Sequence, residues 1–400
     1  MTQGVLPDRS IRAMIARGEI TASEPVTPGQ IQPASLDLRL GRIAYRIRAS
    51  FLAGPGQRIA AKLGEFEMHR MDLDAGAVLE KGCVYLVPLM EGLALPEGIT
   101  AVANAKSSTG RLDLLTRVIT DEGTEFDRIP AGYAGPLYAE ICPRSFSVLV
   151  RPGMRLNQIR FRAGQAALSD AELKALHAAE PLVSGTAVID HGLGFSVDLR
   201  PETGDLVGYR AKPHTGVIDL DRIAHYPASD FWEEIRTREG RIILDPGAFY
   251  ILVSREAVTI PPDFAAEMAP YLAMVGEFRV HYAGFFDPGF GHGAAGGTGS
   301  RGVLEVRCHE APFALEHGQV VGRLVYERMA DRPEHLYGAD LKSNYQGQGL
   351  KLAKHFPAGE GGAAPSAFGI HPRDISASLK TALSSCPKYP GGRRSRGAAP

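Results

Sequence analysis

Short runs rich in Val, Ile, Leu, Tyr and Phe recur along the chain, cut by Pro and Gly about every ten residues. That alternation predicts a mainly β fold, a sandwich or barrel with few short helices. In "MTQGVLPDRSIRAMIARGEI", Ile11, Met14 and Ile15 share a helical face after Asp8 as a candidate cap, and Gly18 marks the stop. "LSDAELKALHAAEP" spaces Ser169 and Glu172 as a capping box, with Leu173 and Leu176 on one face, which predicts a helix closing the first half. A further helix is predicted after Ser229 in "SDFWEEIRTREG", ending near Gly240. From residue 358 to 400 the alternation gives way to Gly, Ala, Pro and Arg, the composition of a disordered tail.

The pattern also repeats. "KGCVYLVPLMEGLALPEG" from Lys81 and "PGAFYILVSREAVTIPPD" from Pro246 align without a gap at an offset of 165, Gly82 falling on Gly247. The same offset places Glu140 of "PLYAEI" on Glu305 of "GVLEV" and Gly153 on Gly318. "SLDLR" from Ser35 faces "SVDLR" from Ser196. An ordered series of matches reads as two copies of one unit, with domains expected at 1–180 and 181–357.

Composition narrows the chemistry. The 44 basic and 45 acidic residues nearly cancel, so no global field favours nucleic acid or an anionic membrane, and an anion site must be local. Cys83, Cys142, Cys308 and Cys386 are scattered without a CxxC, which fits reduced thiols. No stretch approaches the roughly 18 apolar residues of a membrane span or the layout of a signal peptide, and a cytoplasmic protein is expected. Zinc deaminase signatures, H-x-E with P-C-x-x-C, are missing from the sequence, and the histidines show no metal-ligand rhythm.

One stretch stands out. "NAKSSTGRLDLL", residues 104–115, sets two hydroxyls, a glycine, Lys106 and Arg111 among apolar strands. If Ser107 or Ser108 caps a short helix, its free N–H groups and the two cations suit a phosphate; the plain alternative is a capped turn with exposed charges. The offset copy, "YLAMVG" from Tyr271, carries neither serine nor cation. Glu140 lies in an apolar strand context, where a carboxylate must face solvent, meet a cation such as Arg111, or hold a raised pKa for proton transfer.

Taken in order, the motifs resemble the deoxycytidine triphosphate deaminase family within the trimeric deoxyuridine triphosphatase fold. "IQPASLDLRLG" resembles the superfamily's first motif, "KSSTGR" the second, "FDRIPAGYAGPLYAE" the third and "RPGMRLNQIRF" the fourth. "KSNYQGQG", Lys342 to Gly349, resembles the segment that closes over nucleotide, and the doubled chain resembles a long bacterial form. The resemblance implies two tandem deoxyuridine triphosphatase-like barrels of jelly-roll type. The implied reaction is zinc-independent hydrolysis of dCTP, with magnesium carried by the triphosphate, to dUTP and ammonia, feeding thymidylate synthesis. It implies Glu140 as the proton-shuttling glutamate, with Ser107 and Arg111 in support and Glu305 as the alternative acid. It assigns Lys106, Ser108, Gln158, Asp287, Tyr345, Gln346, Gln348 and Lys351 to the nucleotide. No resident metal, nucleic acid or membrane partner is implied, and a homo-oligomer with threefold or pseudo-threefold packing is.

Two departures qualify the pattern. The first copy has Pro130 where the third motif carries an aspartate, while the second keeps "FFDPGFG" with Asp287; the first also adds "DEGTEF" and the second "GHGAAGGTGS". The halves are therefore expected to be unequal, the first supplying a phosphate cradle and the second Asp287 and the closing segment. Rival readings are a dUTP diphosphatase, alone or combined with deamination, and a nucleotide-binding regulator without turnover.

Overall fold

The computed structural model describes residues 2–270, 278–281, 284–338 and 346–357. Tyr345 and the expected tail from 358 lie outside the described residues. Strands dominate, and no helix is long and apolar enough to cross a membrane among the described residues. Cys83, Cys142 and Cys308 form no disulfide.

The repeat read in the sequence is a repeat of strand order. In the first half one sheet runs Leu114–Thr120, Ala134–Pro143, Val84–Ala94, Ile43–Ile47, Glu67–Asp72. The second half runs Phe278–His281, Ser300–Cys308, Phe249–Val258, Leu206–Ala211, Trp232–Arg236. The other sheets correspond as well: Arg128–Ile129, Ile99–Ala105, Arg155–Ala163, Ser35–Arg39 against Phe285–Phe286, Phe264–Pro270, Val320–Arg328, Leu193–Ser196. Matching apolar alternation in the two copies selects matching pairings, because a slip of one residue would turn each buried face to solvent.

The halves do not bury separate cores. The largest cluster joins Tyr85, Leu114, Phe146 and Val148 of the first half to Trp232, Phe249, Val303 and Phe356. The second half also lends Ile218–Asp219, between the strands Leu206–Ala211 and Trp232–Arg236, which pairs in parallel with Val148–Val150. A second cluster lies wholly beyond residue 170 and includes Leu173, so the helix Asp170–Ala179 opens the second half rather than closing the first. Its capping box is present as expected, the Ser169 hydroxyl accepting from the Glu172 N–H.

Two local expectations change. The first helix spans Asp8–Ala16 with Ile11 and Met14 buried, but Pro7 holds the cap position. Asp8 is instead its first residue, and its buried carboxylate accepts the Glu334 N–H and the side chains of Arg12 and His335. After Ser229 there is one helical turn, Ala228–Phe231, and then the strand Trp232–Arg236. Phe231 and Trp232 go into the shared aromatic core, and pairing of Trp232–Arg236 with Leu206–Ala211 overrides the local helical spacing.

Candidate active site

The serine-rich stretch leaves the strand Ile99–Ala105, makes one turn, Ser107–Gly110, and enters the strand Leu114–Thr120. Lys106, not a serine, is the cap residue, and no side chain caps the turn. The buried Thr109 hydroxyl donates to the Leu156 carbonyl at 3.0 Å and fixes the turn against the strand Arg155–Ala163. Both serine hydroxyls are thereby spared from capping.

Arg111 ends the turn and is 2% exposed. Its Nη1 donates to the Lys351 carbonyl and its Nη2 to Gln348 Oε1, each at 2.9 Å. Gln348 in turn donates to the Arg301 carbonyl at 3.1 Å, and its own carbonyl accepts the Arg301 N–H. The C-terminal segment is thus clamped between Arg111 of the first half and the strand Ser300–Cys308 of the second.

That strand presents Arg301, Val303, Glu305 and Arg307 on one face, since alternate residues point the same way. Arg307 forms a buried ion pair with Asp113, two residues past Arg111, and Ser145 donates to the same carboxylate at 2.7 Å. Val303 belongs to the cluster that holds Leu112, Leu114 and Leu352. Glu305, 3% exposed, lies on this strand face between Val303 and Arg307.

Glu140 has different company. It is 2% exposed and stands across from Arg117 in the strand pairing, and Arg117 Nη2 and Nε both donate to its Oε1. The guanidinium also lies 3.6 Å from the Phe126 ring centre. The expected meeting of Glu140 with Arg111 is therefore absent: strand register gives Glu140 its arginine six residues further on. At the corresponding register position of the second half, His281 stands opposite Glu305.

Asp287 is brought to the first half. It is buried and paired with Arg160 at 3.1 Å, and Arg160, itself fully buried, also holds Glu327 at 3.0 Å. Burial pushes the Asp287 carboxyl up, with Asp37 adding to the rise while Arg160 and Lys106 oppose it. Gly284, at φ +108°, packs so tightly on the Ser107 hydroxyl that a Cβ would collide with it. Lys106 pairs with the buried Asp37, which Arg155 also approaches at 3.7 Å. Gln158 donates weakly to the Ala105 carbonyl at 3.4 Å, and Ser108 lines a cavity beside Lys106. Gln346 accepts the Gly291 N–H at 3.0 Å, seating the closing segment on the Gly-rich insert. Burial and Arg111 hold the Lys351 ammonium below its usual value.

Arg160, Arg117 and Arg307 went unread in the sequence. Each lies in an apolar strand context, the same signal that singled out Glu140. Among the described residues, groups able to share a cation occur at Asp8, Glu334, His335 and at Asp170, Asp190, His191, and neither includes a residue of this site.

Comparison with known proteins bears on this geometry. Residues 2–165 match the model of the 2'-deoxycytidine 5'-triphosphate deaminase N-terminal domain and residues 169–356 that of its C-terminal domain. A crystal structure of 2'-deoxycytidine 5'-triphosphate deaminase from Agrobacterium tumefaciens is 59% identical, with a TM-score of 0.79 over 82% of this chain and 100% of that one. A "dCTP deaminase, dUMP-forming" of Aquifex aeolicus is 32% identical over 162 residues, 39% of this chain and 80% of the relative. One of the same description from Nanoarchaeum equitans is 31% identical over 174 residues, 39% of this chain and 82% of the relative.

Proposed function

The chain belongs to the 2'-deoxycytidine 5'-triphosphate deaminase family, and we propose that it hydrolyses dCTP to dUTP and ammonia at a site shared between its halves. The observation that carries this reading is the clamp in which Arg111 donates to Gln348 and Gln348 to the Arg301 carbonyl, which ties the strand Ser300–Cys308, the strand of Glu305, to the segment holding Ser107 and Arg111. In this reading Glu305, rather than Glu140, is the proton shuttle. Glu140 is drawn to Arg117 on its own sheet, whereas Glu305 lies on the strand face that carries Arg307, whose partner Asp113 follows Arg111 by two residues, so the hydroxyl and guanidinium that would steady charge at the ring come from the other half.

Water is a weak nucleophile at neutral pH. Glu305 takes a proton from the attacking water as its oxygen bonds to carbon 4 of cytosine, and passes a proton to the departing amine. The carbon–nitrogen bond breaks, ammonia leaves, and a carbonyl replaces the amine. Ser107 and Arg111 position water and carboxylate; Asp287 takes the sugar hydroxyl; Lys106, Ser108, Gln346, Gln348 and Lys351 hold the phosphates and the base. Zinc has no part in this scheme. Magnesium arrives with the triphosphate, and Asp37 Oδ1, a buried oxygen without a hydrogen-bond partner, is a hard donor suited to it. We read each half as a variant of the same barrel, and oligomers with threefold packing as the working form.

The relatives' names favour a second reading in which dUMP is the product. Incubation with dCTP, followed by assay of ammonia, pyrophosphate and both nucleotides, separates the two. Ammonia with dUTP is the expected result. Ammonia with equal pyrophosphate and dUMP would establish the combined activity, and binding without any product would leave a regulator.

A further inference from the structure

Beside Lys106 and Ser108 opens a cavity of about 270 Å³. Its other walls include Arg155, Lys354 and His355 of the C-terminal segment, and Leu220 and Asp221 of the second-half loop between the strands Leu206–Ala211 and Trp232–Arg236. That volume is below the roughly 300–1,000 Å³ of sites that enclose a whole drug-sized ligand, so it suits one end of a larger molecule. Its charge favours an anion. Lys106, Arg155 and Lys354 converge on it against two carboxylates, Asp37 and Asp221, and Asp221 is already drawn to Arg151 at 2.8 Å.

Lys354 has no assigned task. Its ammonium makes no hydrogen bond or ion pair among the described residues, although burial and the neighbouring Lys106 lower its pKa. Polar groups left this way are costly unless a ligand completes them. The wall is held in place: Lys354 and His355 carbonyls accept N–H groups from Ala224, His225 and Tyr226, and Phe356 is anchored in the aromatic core.

We propose that Lys354, supported by Arg155, holds the terminal phosphate of the substrate, so that this wall selects triphosphates over shorter phosphate chains. The proposal rests on the nucleotide reading given above. It makes Lys354 a specificity residue rather than a participant in the chemistry, and it gives that second-half loop a direct part in substrate choice.

The test is steady-state ammonia release from dCTP and dCDP by the full-length protein, its Lys354→Gln and Lys354→Arg variants, together with calorimetric binding of inorganic tripolyphosphate. Losing one charge-assisted phosphate contact should raise KM for dCTP by about 10- to 100-fold. The kcat and the KM for dCDP should change little, Lys354→Arg should restore most of the loss, and tripolyphosphate binding should weaken in parallel. Equal increases in KM for both nucleotides, or unchanged tripolyphosphate binding in Lys354→Gln, would overturn the proposal. Should the wild type release no ammonia, the deaminase reading fails, and tripolyphosphate binding still judges the cavity alone.

Discussion

Glu140 and Glu305 occupy one place in two copies of the same strand, and the residue at the opposite register position differs, Arg117 in one copy and His281 in the other. Asp127 belongs to the Glu140 neighbourhood and reports on it. Burial pushes its carboxyl up to about 7, with Arg117 opposing and Glu140 adding to the rise. The folded protein therefore keeps this proton at pH values where the unfolded chain has released it. The resulting stabilisation is complete below the unfolded value near 3.8 and fades as pH rises to about 7. Asp127→Asn keeps an oxygen for the Val118 N–H and tolerates φ +61°. Thermal melts at pH 5 and pH 8 should then show the variant gaining on the wild type at the higher pH; a constant difference would refute the assignment. Glu140 was legible as an acid in an apolar setting, and Glu305 through the repeat that places it on Glu140. Their partners were not, because a cross-strand neighbour is fixed by register between segments far apart in sequence.

At the level of elements, the segment 346–357 carries the argument from sequence motif to closed site. It is gripped at one end by Arg111 and at the other by Phe356, 4% exposed, whose ring packs 5.6 Å from Phe231 and 6.0 Å from Trp232. Phe356→Ala removes a contact worth about 3–5 kcal/mol in a packed core, and we expect it to free the segment locally. KM for dCTP should rise at least about tenfold with kcat retained, since each 1.4 kcal/mol of lost closure costs roughly a factor of ten. A fall in kcat at unchanged KM would place the segment elsewhere in the cycle. The capping box at Ser169 was readable because its signal is local. The strand Trp232–Arg236 was not: its spacing mimics a helix, and only the aromatic core and the pairing with Leu206–Ala211 decide otherwise.

For the molecule as a whole, the internal repeat was plain in the sequence and its strand order follows it, yet a repeat says nothing about which faces of its two copies meet. Here they meet through Arg160, fully buried, which holds Asp287 and Glu327 and donates to the Ala266 carbonyl at 3.1 Å. Arg160→Met would strand the buried Asp287 carboxylate, while Glu327 would keep Arg162 at 2.6 Å. We expect a loss of about 3–5 kcal/mol in chemical denaturation, and a loss under 1 kcal/mol would mean that this seam is not where the halves are joined. On the proposed reading the chemistry is divided across the same shared core: the first half brings Ser107 and Arg111, the second Glu305 and Asp287, and the segment 346–357 contacts both halves.

The division of labour is tested most directly by ammonia release from dCTP in Glu305→Gln and Glu140→Gln proteins, each checked for folding. Removing a general base typically slows a reaction by about 10²- to 10⁴-fold. We expect that loss of kcat in Glu305→Gln and near wild-type turnover in Glu140→Gln; an active Glu305→Gln enzyme beside an inactive, folded Glu140→Gln enzyme would contradict a site built from both halves in this way.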